Sequence, residues 1–206
     1  HIKNKTDTAR GTIMTIASFI LWGILPGYWK MLGHVPALQI VGHRTIWTCI
    51  FAFMLILITG KLYAVGDALS RRGTRLLIMT GSLMIGINWL IYIYAVNSGN
   101  IVQASLGYYI NPLVSIVLGM VALHEKLSRA QLTAFILAAC GVIYMTFRLG
   151  SFPWISIALA VSFALYGLVK KRTGVDSVSS LAVESLFLVP VAVPAALGTF
   201  SGTIDP

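Results

Sequence analysis

His43 and Arg44 fall inside one long apolar run, and Glu184 falls inside another. An Arg or Asp at the centre of a membrane span costs roughly 2.5–3.5 kcal/mol on insertion scales, so such residues tend to face partners, cavities or substrates. A buried carboxyl and an imidazole can each exchange a proton near neutral pH. Glu184 and His43 are therefore the expected proton-coupling groups. Arg44 is expected to pair with Glu184 or with an anionic group on a substrate. Both charges lie several residues inside their runs, which enter from opposite faces. At about 1.5 Å of rise per residue, that puts them on the order of 10 Å apart in depth. Either a direct ion pair or a water-filled cavity between them fits that spacing. The structural alternatives are a snorkelling arginine, a satisfied core histidine and a neutral buried carboxyl.

A second constellation is Ser105-Leu106-Gly107-Tyr108-Tyr109-Ile110-Asn111-Pro112. Tyr108, Asn111 and Ser115 recur at i, i+3 and i+7, on one helix face. Pro112 has no N–H for the carbonyl one turn earlier, and a freed carbonyl at membrane depth is tolerated beside a cavity or a partner helix. Asn88 and Tyr92 share a face at i, i+4, and Trp22 lies deep in the first run. Trp22, Asn88, Tyr108 and Asn111 are thus the expected lining of a substrate cavity. Gly23-x-x-x-Gly27 suits close helix contact, while Tyr28 and Trp29 read as interfacial anchors. No H-E-x-x-H, P-loop or G-x-S-x-G pattern is present, so no catalytic set, metal or cofactor is expected and the chain does not read as an enzyme. Cys49 and Cys140, inside apolar runs, read as packing residues.

The elements that position these residues follow from composition. Of 206 residues, 57% are hydrophobic and 10% charged, and the mean hydropathy is +0.86. A soluble domain carries about 25% charged residues, so a soluble enzyme, a disordered tail and a secreted disulfide module are excluded. A spanning helix needs about 20 mostly apolar residues. Seven segments qualify: Thr12–Met31, Ala37–Thr59, Leu76–Val96, Ile101–Leu123, Ala130–Phe147, Phe152–Val169 and Val178–Phe200. Their connections are short, so successive spans run antiparallel.

The formal net charge of +9 then resolves into topology. With the N-terminus cytoplasmic, twelve of the fifteen Lys and Arg residues fall on the inside, two outside (Lys30, Arg148), and Arg44 within a span. That is a strong positive-inside bias. It predicts a multi-pass protein of the inner (plasma) membrane, with Thr203–Pro206 outside, and leaves no basic face for nucleic acid.

Ser18-Phe19-Ile20-Leu21-Trp22-Gly23-Ile24 in the first span parallels Ser162-Phe163-Ala164-Leu165-Tyr166-Gly167-Leu168 in the sixth. Five spans separate the two, and an odd offset inverts the second copy. Inverted repeats of this kind are common in secondary transporters. The expectation is an all-α integral membrane protein, a polytopic helix bundle with seven of ten spans present. Residues 1–10 form a cytoplasmic segment, 11–148 a first five-helix repeat, and 149–206 the interrupted start of a second. Glu184 then lies on the counterpart of the span that carries His43 and Arg44.

These residues also carry a family resemblance. Leu21-Trp22-Gly23-Ile24-Leu25-Pro26 with Tyr28-Trp29-Lys30, His43-Arg44 with Trp47, Asn88-Trp89-Leu90 and Ala95-Val96-Asn97 resemble the RarD subfamily of the EamA-type drug/metabolite transporters. Ala104-Ser105-Leu106-Gly107-Tyr108, Ile110-Asn111-Pro112-Leu113, and Phe163 with Tyr166-Gly167-Leu168-Val169 extend the likeness, as does Gly119 with Leu123-x-Glu125. The resemblance implies ten helices in two EamA repeats and export of small metabolites or drugs, with no settled substrate. The expected partners are a small-molecule substrate, the lipid bilayer and coupled protons, with a homodimer as the expected assembly. A non-transporting membrane scaffold or sensor is the alternative.

Overall fold

The computed structural model describes residues 5–124 and 126–199. Lys3, Glu125 and Thr203–Pro206 lie outside the described residues, as do the side chains of Lys5, Arg10, Phe19, Pro26 and Leu123. Eight helices follow one another: α1 (Lys5–Met31), α2 (Ala37–Thr59), α3 (Leu62–Ser70), α4 (Arg72–Asn97), α5 (Ile101–Leu123), α6 (Arg129–Leu149), α7 (Trp154–Thr173) and α8 (Ser177–Ala196). All but α3 are long and apolar enough to cross a membrane, matching the seven expected spans.

Local sequence accounts for the ends. Gly60 closes α2 at φ 68°, its N–H turned back to the carbonyls of Ile56 and Leu57, a left-handed cap that glycine adopts without a Cβ penalty. Ser128 and Gln131 open α6 with a reciprocal capping box, which satisfies two of the orphan donors at a helix start. Asp176 caps α8 by accepting from the Ser179 N–H.

One element departs from the sequence reading. The connection after the second span, expected to be polar loop, folds into α3, and α4 starts at Arg72 rather than Leu76. Val65 and Ala68 are buried. Their i, i+3 spacing gives a short helix one apolar face, and that face packs against α4 and α8.

Cross-helix contacts fix the directions. A Cβ on Gly42, early in α2, would lie 2.6 Å from the Ala196 nitrogen at the end of α8, while Lys61, just after α2, meets Asp176 at the start of α8 at 3.0 Å. So α2 and α8 run antiparallel in contact along their length. Asn88 of α4 reaches Leu159 early in α7, and Gly81 lies against Tyr166 and Val169 later in α7, so α4 and α7 are also antiparallel. Ser156 bonds the Gln103 carbonyl and Arg172 the Ala122 carbonyl, so α5 and α7 run parallel.

Burial concentrates in two clusters. Trp29, Ile40, Tyr92, Ile93, Val96 and Leu159 are among those packing one end of the bundle. Ala52, Ile56, Val65, Ile78 and Val183 help to pack the other. Outside these clusters, α6 buries no residue. Gly23 and Gly27 of α1 face open space, with nothing within 4 Å of a built Cβ. Their expected close helix contact does not form among the described residues, because α1 touches the bundle mainly through α4 and its aromatic rings.

Candidate functional site

Between the two clusters, α2, α4, α7 and α8 border a half-open cavity of about 240 Å³. Arg44, Thr45 and Thr48 line it from α2, Gly86 and Trp89 from α4, Phe163 and Tyr166 from α7, Glu184 and Ser185 from α8, and Trp22 from α1. Arg44 and Glu184 therefore face one space, as the depth argument allows.

They do not pair with each other, which corrects the ion-pair half of that expectation. The carboxylate of Glu184, 4% exposed, lies 3.3 Å from the Lys170 ammonium. It accepts a hydrogen bond from Tyr166 Oη at 2.9 Å and another from Ser180 Oγ. Lys170 also donates to Tyr166 Oη at 2.7 Å. The physical reason is reach: Lys170 sits one turn beyond Tyr166 on α7, and its four-carbon stem lets the ammonium run back into the bundle. Such a pair is worth keeping intact, because removing one partner leaves an uncompensated charge in a low-dielectric interior.

The guanidinium of Arg44 takes the other solution. It lies 3.3 Å over the ring of Trp89, a cation–π contact. Trp89 belongs to a closed circuit of rings, Trp22–Trp89 at 6.4 Å, Trp89–Tyr92 at 5.7 Å, Tyr92–Tyr108 at 5.8 Å and Tyr108–Trp22 at 6.0 Å. All four pairs are edge-to-face, the arrangement ring quadrupoles favour. The circuit ties α1, α4 and α5 together behind Arg44.

The remaining sequence candidates separate. His43 is exposed and lines a wider cleft of about 700 Å³ beside α1 and α2, together with Arg44, Trp29, Trp47 and Gln39. Asn88 is buried and donates to the Leu159 carbonyl and to Ser162 Oγ, both at 2.9 Å. Its amide faces α7 and joins two helices rather than lining either space. Asn111 accepts from Ser115 Oγ at 3.3 Å and lines neither cavity. Tyr108 does not line the smaller cavity, but it packs edge-to-face on Trp22, which does, and its phenol is an electrostatic neighbour of Arg44. Pro112 sits inside an unbroken α5.

Sequence reasoning missed Lys170, Ser180 and the polar role of Tyr166. The signal was available: Tyr166 and Lys170, and likewise Ser180 and Glu184, stand at i, i+4, the spacing that stacks side chains on one helix face. By its place in the chain alone, Lys170 reads only as a topology charge.

A family model described as the EamA-like transporter family matches residues 9–147. A Bacillus subtilis (strain 168) protein named uncharacterized transporter YojE is 45% identical over 204 residues, 97% of this chain and 67% of that protein. Protein RarD of Escherichia coli (strain K12) is 40% identical over 186 residues, 90% of this chain and 63% of that protein. A Pseudomonas aeruginosa protein named chloramphenicol-sensitive protein RarD is 30% identical over 193 residues, 91% of this chain and 64% of its own length. The chain thus spans about two-thirds of the length of these relatives. No solved structure matches it. Seven membrane-length helices, charged side chains turned into a space between them, and this agreement with named transporters lead to one conclusion: the chain belongs to the EamA-like transporter family, among its RarD-like members.

Proposed function

We propose that this chain forms part of a secondary transporter that exports small metabolites or drugs by alternating access. The observation that carries the reading is that Arg44 of α2 and Glu184 of α8 face one cavity of about 240 Å³. Residues 11–148 are read as a first repeat and 149–206 as the start of an inverted second, so α2 and α8 are counterparts. The match over residues 9–147 supports that division, as does the antiparallel packing of α2 on α8. Substrate binds near the midplane between repeats, and one repeat rocks against the other. Glu184 and His43 are the coupling groups, and a proton reaching Glu184 competes with the Lys170 ammonium for the same carboxylate. Lys61, Arg71, Arg72, Arg75, Lys126, Arg129 and Lys170–Arg172 gather at one end of the bundle, which supports a cytoplasmic N-terminus in the plasma membrane.

The test is uptake and efflux of a compound panel by proteoliposomes holding the full-length protein, with an imposed pH gradient. Substrate flux that follows the gradient, and loses that dependence in Glu184→Gln and His43→Ala, is the expected result. Gradient-driven flux unchanged in both variants would overturn the coupling assignment. A scaffold or sensor predicts no flux for any compound; the fully partnered Glu184 suits that reading, whereas the open edge of Arg44 argues against it.

A further inference from the structure

Arg44 lines both spaces, the cavity shared with Glu184 and the wider cleft of about 700 Å³. The cleft differs from the cavity in charge: no acidic residue lines it. Among the described residues no acceptor hydrogen-bonds the Arg44 guanidinium, which stacks on the face of Trp89 at 3.3 Å with the Tyr108 phenol as an electrostatic neighbour. Stacking uses the face of the guanidinium plane. The N–H donors lie in that plane and point out from its edge, so they stay available to a forked acceptor. A carboxylate matches that fork with two parallel bonds.

A second, unsatisfied donor belongs to Trp29, one of the residues that line the same cleft. Trp29 is 7% exposed, and its indole N–H is buried with no hydrogen-bond partner. A buried donor left unpaired costs about 1–3 kcal/mol, so an acceptor supplied by a ligand relieves it. Around these donors stand the rings of Tyr28, Trp47 and Phe51, which offer flat apolar surface and little else. The donor set thus asks for an anion, and the walls ask for a planar apolar body.

We infer that the cleft beside α1 and α2 binds small organic monocarboxylates with a planar apolar body. Arg44 grips the carboxylate edge-on, Trp29 donates to the same head, and the ring system lies against Tyr28, Trp47 and Phe51. The inference rests on the transporter reading only in taking this ligand class as a substrate class; binding in the cleft itself does not require transport.

Three probes of one shape and three charges test it on the full-length protein in nanodiscs: naphthoate, naphthylmethanol and naphthylmethylammonium, followed by equilibrium dialysis. Naphthoate is expected to bind at least about tenfold tighter than the alcohol, since a charge-assisted pair is worth that much, and the cation is expected to bind weakest. Arg44→Gln should bring naphthoate down to the level of the alcohol, with alcohol binding retained as the check on folding. Arg44→Lys should keep part of the preference, because it keeps the charge and loses the fork. Trp29→Phe should weaken naphthoate several-fold and the alcohol less, because a neutral hydroxyl accepts a weaker bond than a carboxylate. Equal binding of acid and alcohol by the natural protein, or a preference that survives Arg44→Gln, overturns the inference. Flux in proteoliposomes separates the two readings. Naphthoate binding without flux of any compound overturns the transporter reading and leaves the anion site standing. Flux that favours the alcohol or the cation overturns the anion site alone.

Discussion

Glu184 and Arg44 look out on the same cavity from α8 and α2, yet the protein treats the two charges in opposite ways. Glu184 is saturated: Lys170, Tyr166 and Ser180 all address its carboxylate. Arg44 is braced on one side by Trp89, and among the described residues no acceptor hydrogen-bonds its edge. The difference follows from the chemistry of the two groups. A carboxylate has only acceptor positions and is costly to bury uncompensated, so neighbouring donors converge on it. A guanidinium is more weakly hydrated and stacks on aromatic faces, so a ring holds it in place without consuming its hydrogen bonds. The saturated charge is suited to holding α7 against α8, and the open one to meeting a ligand.

The comparison breaks most clearly at Lys170. Lys170→Met leaves Glu184 without its cation, and a loss of about 3 kcal/mol is expected, read as SDS-driven unfolding of the full-length protein in bicelles. Arg44→Met loses chiefly its stacking on Trp89, about 1 kcal/mol, while abolishing the preference for carboxylate probes. Equal destabilisation by the two would end the distinction. Replacing both partners, Lys170→Met with Glu184→Leu, should recover most of the stability lost in the single variant, because an apolar pair carries no desolvation penalty; a double variant no more stable than Lys170→Met would show that the loss is packing rather than charge.

Two smaller effects sharpen the boundary between holding and binding. Asn88→Leu removes two hydrogen bonds from α4 to α7 and should cost about 1 kcal/mol in the same unfolding assay. Probe binding should stay within twofold, since Asn88 lines neither space. The smallest effect belongs to Asp176. Hydrogen bonding from Ser179, and then Lys61, holds its carboxyl down at about 2. A lowered value in the folded protein means that the contribution is present above the ordinary aspartate range and is lost as pH falls through about 2. Both side chains are over a third exposed, so solvent screens the pair. Asp176→Asn, which keeps a capping side chain, should cost no more than about 0.5 kcal/mol at neutral pH, with the difference disappearing in acid.

Much of this was legible along the chain. The runs around His43-Arg44 and Glu184 marked two spans with charges inside them, and the i, i+4 spacings put Tyr166 with Lys170 on one face of α7 and Ser180 with Glu184 on one face of α8. What could not be read was rotation. Asn88 and Trp89 are neighbours in sequence, yet one turns to α7 and the other to Arg44, because successive helical residues point about a quarter-turn apart. Val65 and Ala68 had too short an apolar period to stand out as a helix, and α3 becomes visible only where α4 and α8 supply the surface that covers it.

The sequence by itself determined the number of spans, the end of the bundle that gathers basic residues and the family, because each depends on a one-dimensional count: apolar run length, charge placement and motif spacing. Only the tertiary structure decided which cation meets Glu184 and what Arg44 rests on. Those outcomes depend on helix rotation and on the reach of a four-carbon stem against a ring face, and neither is written in the order of residues along a single helix.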